Sequence, residues 1–277
     1  MAAAKPLAEH EEVFVVDPSV RARARERRVV TLFRLLLCVG FLAFWELASG
    51  PLVSEFWVSK PSAIALALSR LWADGVLLKA ILTTVMEAIA GFGIGATVGV
   101  LLGVLLGVNR VVARVLDPFL IGFYSVPRVA LIPLFVLWFG IGFQMKVIFT
   151  ALLVFFPIFM NTLSGVRGVD HDLIDVIRVM GASRLDTIRK VFFPSALAWV
   201  FAGLRISVPY ALIGAVVAEM FSSNAGLGHL ISLTANQFDT AGLFAALAVT
   251  TAVGLVLDAV VRLFEQRLLR WQPRKEG

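Results

Sequence analysis

Six apolar blocks, at about 29–49, 78–108, 116–138, 144–165, 194–220 and 241–264, dominate the 277-residue chain. Each is long enough for a helix to cross a bilayer core, which takes about 20 residues. In lipid every backbone polar group has to be satisfied within the protein, and a helix does this by itself. The expected fold is therefore an all-α polytopic membrane protein with six transmembrane helices. The composition agrees: 16% of residues are charged, where about 25% is usual for soluble domains, and the mean hydropathy is +0.90.

The sequence pI near 10 needs no nucleic acid partner, because cations flanking the spans account for it. Cys38 is the single cysteine, so neither an intrachain disulfide nor a cysteine-based metal site is available. The first 28 residues are polar and end in RARARERR, too long and too charged for the n-region of a signal peptide. They are expected to form a cytoplasmic tail leading into an uncleaved span.

Lysine and arginine then orient the spans. With both termini cytoplasmic, the inner segments hold Lys5, Arg21, Arg23, Arg25, Arg27 and Arg28, then Arg110 and Arg114. The 166–193 loop adds Arg167, Arg178, Arg184, Arg189 and Lys190, and the C-terminal segment adds Arg262, Arg267, Arg270, Arg274 and Lys275. Only Lys60, Arg70, Lys79 and Lys146 fall outside. This is the asymmetry of the positive-inside rule, and a five- or seven-span reading scrambles it. The expected organisation is a tail over 1–28, a transmembrane domain over 29–265 and a cytoplasmic tail over 266–277. Residues 60–75 read as a shorter amphipathic helix at the outer surface, with Pro61 in its first turn.

Within the second block, Gly91, Gly95, Gly99, Gly103 and Gly107 recur every fourth residue. GFGIGA invites comparison with a dinucleotide fingerprint, but that motif requires a preceding strand and a soluble βαβ unit. Glycine at this interval instead makes a groove along a helix that lets another backbone approach.

The segment RVMGASRLDTIRKVFFP, Arg178–Pro194, carries four cations between two apolar blocks. Leu173, Val176, Ile177 and Met180 make one apolar helical face, and Gly181 stands where a helix C-terminus favours a left-handed residue. Ser183 is a suitable N-cap for a second helix, with Asp186 in its first turn. Leu185, Ile188, Val191 and Phe192 give that helix its apolar side, and Pro194 is expected to mark entry into the fifth span. On residues alone this is either a helix pair lying on headgroups or a structured cytoplasmic knob for a soluble motor to push.

The spacing of Asp175, Gly181, Ala182, Ser183, Val191 and Pro194 resembles the "EAA" coupling loop of ABC-importer membrane subunits. That pattern runs Glu-Ala-Ala, three residues, Gly, nine residues, Ile, one residue, Leu-Pro. Here Asp175-Val176-Ile177 replaces Glu-Ala-Ala and Phe193 replaces Leu. SKPSAI (59–64), VPRVALIPLFVLWFGIG (126–142), GLRIS (203–207) and AGLGHLI (225–231) resemble the nitrate/sulfonate/taurine branch of these permeases. The resemblance covers about residues 30–270.

It implies a type I ABC-importer-like permease in a bacterial inner (plasma) membrane, passive in itself. The chain lacks GxxxxGK[ST], so ATP and Mg would be bound by the partner and no cofactor by this chain. Implied partners are two copies of a cytoplasmic ABC ATPase, a second permease copy in a homodimer, and a periplasmic or lipid-anchored solute-binding protein. Membrane lipid surrounds the assembly. The implied ATPase-coupling residues are Asp175, Arg178, Gly181, Ala182, Ser183, Arg184 and Pro194, in coupling helices at about 172–193. Asn224, Gly226 and Gly228 are implied at the face that meets the binding protein. The implied solute is a small anion such as a sulfonate, taurine, nitrate or bicarbonate, with pyrimidines and other aromatic compounds also handled within the branch.

Polar residues inside the spans mark a candidate translocation path: Arg128, Asn161, Arg205 and Glu219. Arg205 is expected to pair with Asp258, Glu87 or backbone carbonyls. Glu219, near the outer end of its span, is expected to face a gate. Glu87 and Asn161 are buried-polar candidates. His10, His171 and His229 are scattered, and neither HExxH nor GxSxG is present, so no catalytic residue and no metal site is expected. The rival reading is a self-sufficient secondary transporter or channel, which an inverted repeat and paired intramembrane acids would favour.

Overall fold

The computed structural model describes residues 18–108, 110–169, 175–177, 179–222 and 224–268. The chain divides into two units, Met1–Pro61 and Ser62–Gly277. In the first, α1 (Pro18–Ala48) contains the apolar stretch Val29–Ala48. A tight turn follows, in which the Ser49 hydroxyl donates to the Ser59 carbonyl at 2.7 Å, and the short α2 (Glu55–Val58) carries the Glu55–Lys60 ion pair.

α3 (Pro61–Ala73) starts at the boundary of the two units, its proline at the first position, where a missing N–H costs nothing. Then come α4 (Val76–Val108), α5 (Arg110–Ser125), α6 (Ile132–Phe139) and α7 (Phe143–Arg167). A short α8 (Arg184–Thr187) passes through a π turn (Ile188–Phe192) into α9 (Phe193–Ser222). α10 (Leu227–Asn236) and α11 (Thr240–Leu268) complete the chain.

The glycine groove sets the packing. A methyl group at Gly91 would meet Thr150, at Gly103 Thr162 and at Gly107 Val166, so α4 and α7 lie side by side and run parallel. The seam from Gly91 to Gly107 is about 24 Å long at 1.5 Å per residue. α9 runs antiparallel to α7, with Gly203 on Ile158 and Asn161 and Gly214 on Thr150. α11 runs back along α9, with Gly254 near Leu212 and Arg205 near Glu265. The ends of α4, α7 and α11 and the start of α9 therefore share one end of the bundle. The starts of α4, α7 and α11 and the end of α9 share the other.

Among the described residues five helices are long and apolar enough to cross a membrane, and a bent pair makes a sixth when counted as one span. That pair, Arg114–Ser125 and Arg128–Phe139, replaces the continuous third span expected over 116–138; its halves meet at 82°. Pro127 is the cause. It lacks an N–H, sits in extended backbone with ψ 95°, and pushes Val126 out of helical geometry. A 3₁₀ turn (Arg128–Leu131) then leads into α6, with Pro133 in that helix's first turn. Because α4 and α7 are parallel, the chain between them returns the length of the bundle. The bent pair makes that return.

Candidate functional site

At the end shared by α7, α8 and α9, Gly181 adopts φ +81°, the left-handed backbone that ends a helix cheaply only in glycine. The Ala182 N–H donates to the Ile177 carbonyl at 3.1 Å, which closes this turn. Ser183 caps the next helix: its hydroxyl accepts from the Asp186 N–H at 3.2 Å and donates to the Asp186 carboxylate at 2.6 Å. The Ser183 N–H also donates to that carboxylate, a reciprocal capping arrangement. The Ser183 hydroxyl first, and Lys190 next, hold the Asp186 carboxyl at about 2. Since the folded value lies below the ordinary one, the contribution is complete above about 4 and is lost only as pH falls through about 2. The cap is expected to keep its charge at every physiological pH.

Ile177 packs on Val169 and Val191, which anchors the turn to the bundle. Its neighbours project outward: Val176 is 58% exposed, Met180 79% and Val179 89%. Asp175 is also exposed. Arg178, Asp172 and Leu173 lie outside the described residues, as do the side chains of Arg184, Leu185, Ile188, Phe192 and Pro194. α9 begins at Phe193, so Pro194 stands in its first turn, at the entry to the fifth span. The π turn stands just before it, where a wider coil accommodates a missing N–H.

At the bend, Arg128 lies over two rings that touch edge-to-face, its guanidinium carbon 4.8 Å from the centroids of both Tyr124 and Phe156. It donates to the Tyr124 carbonyl at 3.3 Å, while its Nε–H, shielded from solvent, has no acceptor among the described residues. Beside it opens a cavity of about 280 Å³, lined by Val126, Val129, Leu153, Tyr210, Ile213, Val217 and Arg128 itself.

The other candidates fall elsewhere. Arg205 is half exposed and lies 3.9 Å from Glu265, not from Asp258, which pairs with Arg262, nor from Glu87. Asn161 donates to the Pro157 carbonyl of its own helix at 2.8 Å. Glu219 faces no opening in this chain: it is wholly buried and accepts from the Gly228 N–H at 2.7 Å and the Thr84 hydroxyl at 2.8 Å. Thr84 in turn accepts from the Leu227 N–H at 2.8 Å. Gly226 and Gly228 are buried against this carboxylate, whereas Asn224 is exposed. Glu87 is ion-paired with Lys146, both buried. Thr84 and Lys146 were not among the sequence candidates. The available signal was Glu87 itself, since an acid inside a span demands a partner.

Residues 95–270 match the family described as binding-protein-dependent transport system inner membrane component. The chain is 36% identical over 261 residues to the aliphatic sulfonates transport permease protein SsuC of Bacillus subtilis (strain 168), covering 94% of each. It is 37% identical to the riboflavin transport system permease protein RibX of Chloroflexus aurantiacus, over 83% of this chain and 87% of that relative. With the taurine transport system permease protein TauC of Escherichia coli (strain K12) it shares 30% identity, over 88% and 90%. The inward-facing MetNI methionine ABC transporter has the same fold at TM-score 0.59 and 20% identity, covering 72% of this chain and 97% of that one.

Proposed function

The chain belongs to the family of binding-protein-dependent transport system inner membrane components, the non-catalytic permease subunits of ABC importers, and on that premise we propose how it couples and what it carries. It works in the membrane, with ATP hydrolysis left to a separate ATPase and solute delivery to a binding protein. In the reading offered here, two ATPase copies each receive the Asp175–Phe192 segment of one permease in a homodimer. That segment and both termini face the cytoplasm, in keeping with the cation asymmetry.

One observation carries the coupling role. Val176, Val179 and Met180 form an exposed apolar patch beside the Gly181 turn, which the Ser183–Asp186 cap follows. An apolar surface on a well-braced knob transmits force to a groove better than a mobile one. Asp175, and by sequence Arg178 and Arg184, would supply charge to the contact, and Ala182 keeps the turn slim.

The solute is a small organic or inorganic anion, with sulfonates and taurine favoured by the two named relatives that carry them and by the cation at the bend. Mass spectrometry of the tagged chain purified from its host in mild detergent tests the assignment: a stoichiometric ATPase is expected. Replacing Val179 and Met180 together by glutamate is expected to reduce the recovered ATPase by about tenfold or more, the effect of losing a central apolar anchor. An ATPase-free preparation that still moves solute in liposomes would instead support a self-sufficient transporter.

A further inference from the structure

We propose that the cavity at the bend is a solute site for an organic anion with a short apolar tail, in which Arg128 holds the head. This rests on the permease reading above and adds to it a place and a selection rule.

The depth is right for a transport site. Leu153 lies ten residues into α7 and Tyr210 twelve residues before the end of α9, both measured from the same end of the bundle. At 1.5 Å per residue these are about 15 and 18 Å, the middle of a core about 30 Å thick. The wall on the third side is a discontinuous helix, broken at Pro127. Irregular backbone at mid-membrane is tolerated where it lines a cavity, and transporters build solute sites from such breaks.

The chemistry of the wall defines the ligand. Arg128 and Tyr210 alone among the lining residues have polar side-chain atoms; the rest are aliphatic. Tyr124 and Phe156, touching edge-to-face with centroids 6.1 Å apart, lie on neighbouring sides of the guanidinium and hold it beside the cavity, and its planar, always charged fork suits a sulfonate or carboxylate. No carboxylate among the described residues pairs with Arg128, and its shielded Nε–H has no acceptor among them. A charge kept unpaired at this depth is costly unless an anion visits it. A bare inorganic anion would lose its hydration and leave the aliphatic wall unfilled. An anion with an alkyl tail covers that wall and gains about fourfold in affinity per buried methylene. At about 280 Å³ the cavity sits at the low end for ligand pockets, so the tail is short.

The test uses the permease purified with its ATPase, and ligand-observed NMR titration with methanesulfonate, butanesulfonate and nitrate. Butanesulfonate is expected to bind more tightly than methanesulfonate by about fourfold per added methylene, with nitrate a poor competitor. Arg128→Gln is expected to weaken both sulfonates by about 10- to 100-fold, and Arg128→Lys by less. Ile213→Trp, which fills the cavity, is expected to abolish the advantage of the longer tail while sparing methanesulfonate. Recovery of the ATPase reports that each variant is folded. Nitrate competing as well as butanesulfonate, undiminished binding in Arg128→Gln, or no binding by the wild-type complex would each overturn the proposal. If the ATPase is recovered and the sulfonate is not bound, only the site fails; if no ATPase is recovered from the wild type, the permease reading fails with it.

Discussion

Gly95→Ala is expected to lose most of the folded permease, while Gly93→Ala, two residues away on the same helix, is expected to fold as the wild type does. A methyl group at Gly95 would stand 2.5 Å from the Ala151 carbonyl oxygen and 2.9 Å from Val154 Cβ. Neither can move aside, because both belong to the buried face of α7. At Gly93 a methyl group meets nothing within 4 Å. Alanine favours helix over glycine by up to about 1 kcal/mol, so the Gly93 change is neutral or mildly stabilising. At Gly95 the same gain is opposed by overpacking of about 1–3 kcal/mol, to which the opening of the adjoining seam adds. Gly91, Gly99, Gly103 and Gly107 all bear on α7 in one register, so a local spacer at Gly95 pries apart the whole contact. Thermal unfolding in detergent, followed by size-exclusion recovery, reads the difference. Equal melting of the two variants would mean that α4 and α7 do not meet along this groove.

That groove also shows where sequence legibility ends. Glycine every fourth residue announced a close helix contact, but not that the partner was α7 or that it ran parallel. Hydropathy located every span within a few residues, because apolar length is a local property. The broken third span was harder, since 116–138 is apolar throughout and only Pro127 marks the fault. The Ser183–Asp186 cap and the Gly181 turn were legible because capping depends on residues three or four apart. Pairings across the fold were not. Lys146 follows a glycine-rich stretch and reads as an outer-loop cation, yet it is buried on Glu87, 59 positions away in sequence. Glu219 reads as a gate residue, and its partner Thr84 is 135 positions distant. For Arg128 the sequence supplied the charge at depth; the cavity beside it depends on three helices meeting.

The second large effect is expected at that buried pair. Lys146→Met should destabilise the permease by about 3–5 kcal/mol, because Glu87 would be left charged and enclosed with no cation. Glu87 is 1% exposed and Lys146 5%, so water cannot take over the role of either. Among the described residues one carboxylate oxygen of Glu87 meets the geometric criteria for no hydrogen bond, and Lys146 carries most of its compensation. Glu219 compounds the problem, since its carboxylate lies next to that of Glu87 while it holds the Leu227–Gly228 turn through Thr84 and a backbone N–H. Loss of the lysine leaves two neighbouring acids without a cation and should loosen the turn as well. A paired replacement separates burial from any special need for charge. Glu87→Leu with Lys146→Met removes both ions and keeps the volume, and such swaps are often neutral or stabilising. The double variant is thus expected to melt close to the wild type, with a coupling energy of several kcal/mol across the cycle. If the double variant is stable but its ATPase no longer responds to the loaded binding protein, the ion pair serves the outer turn's movement and not its folding. If Lys146→Met alone melts with the wild type, then water reaches Glu87 in the working cycle, and this end of the bundle opens wider than the single closed arrangement requires.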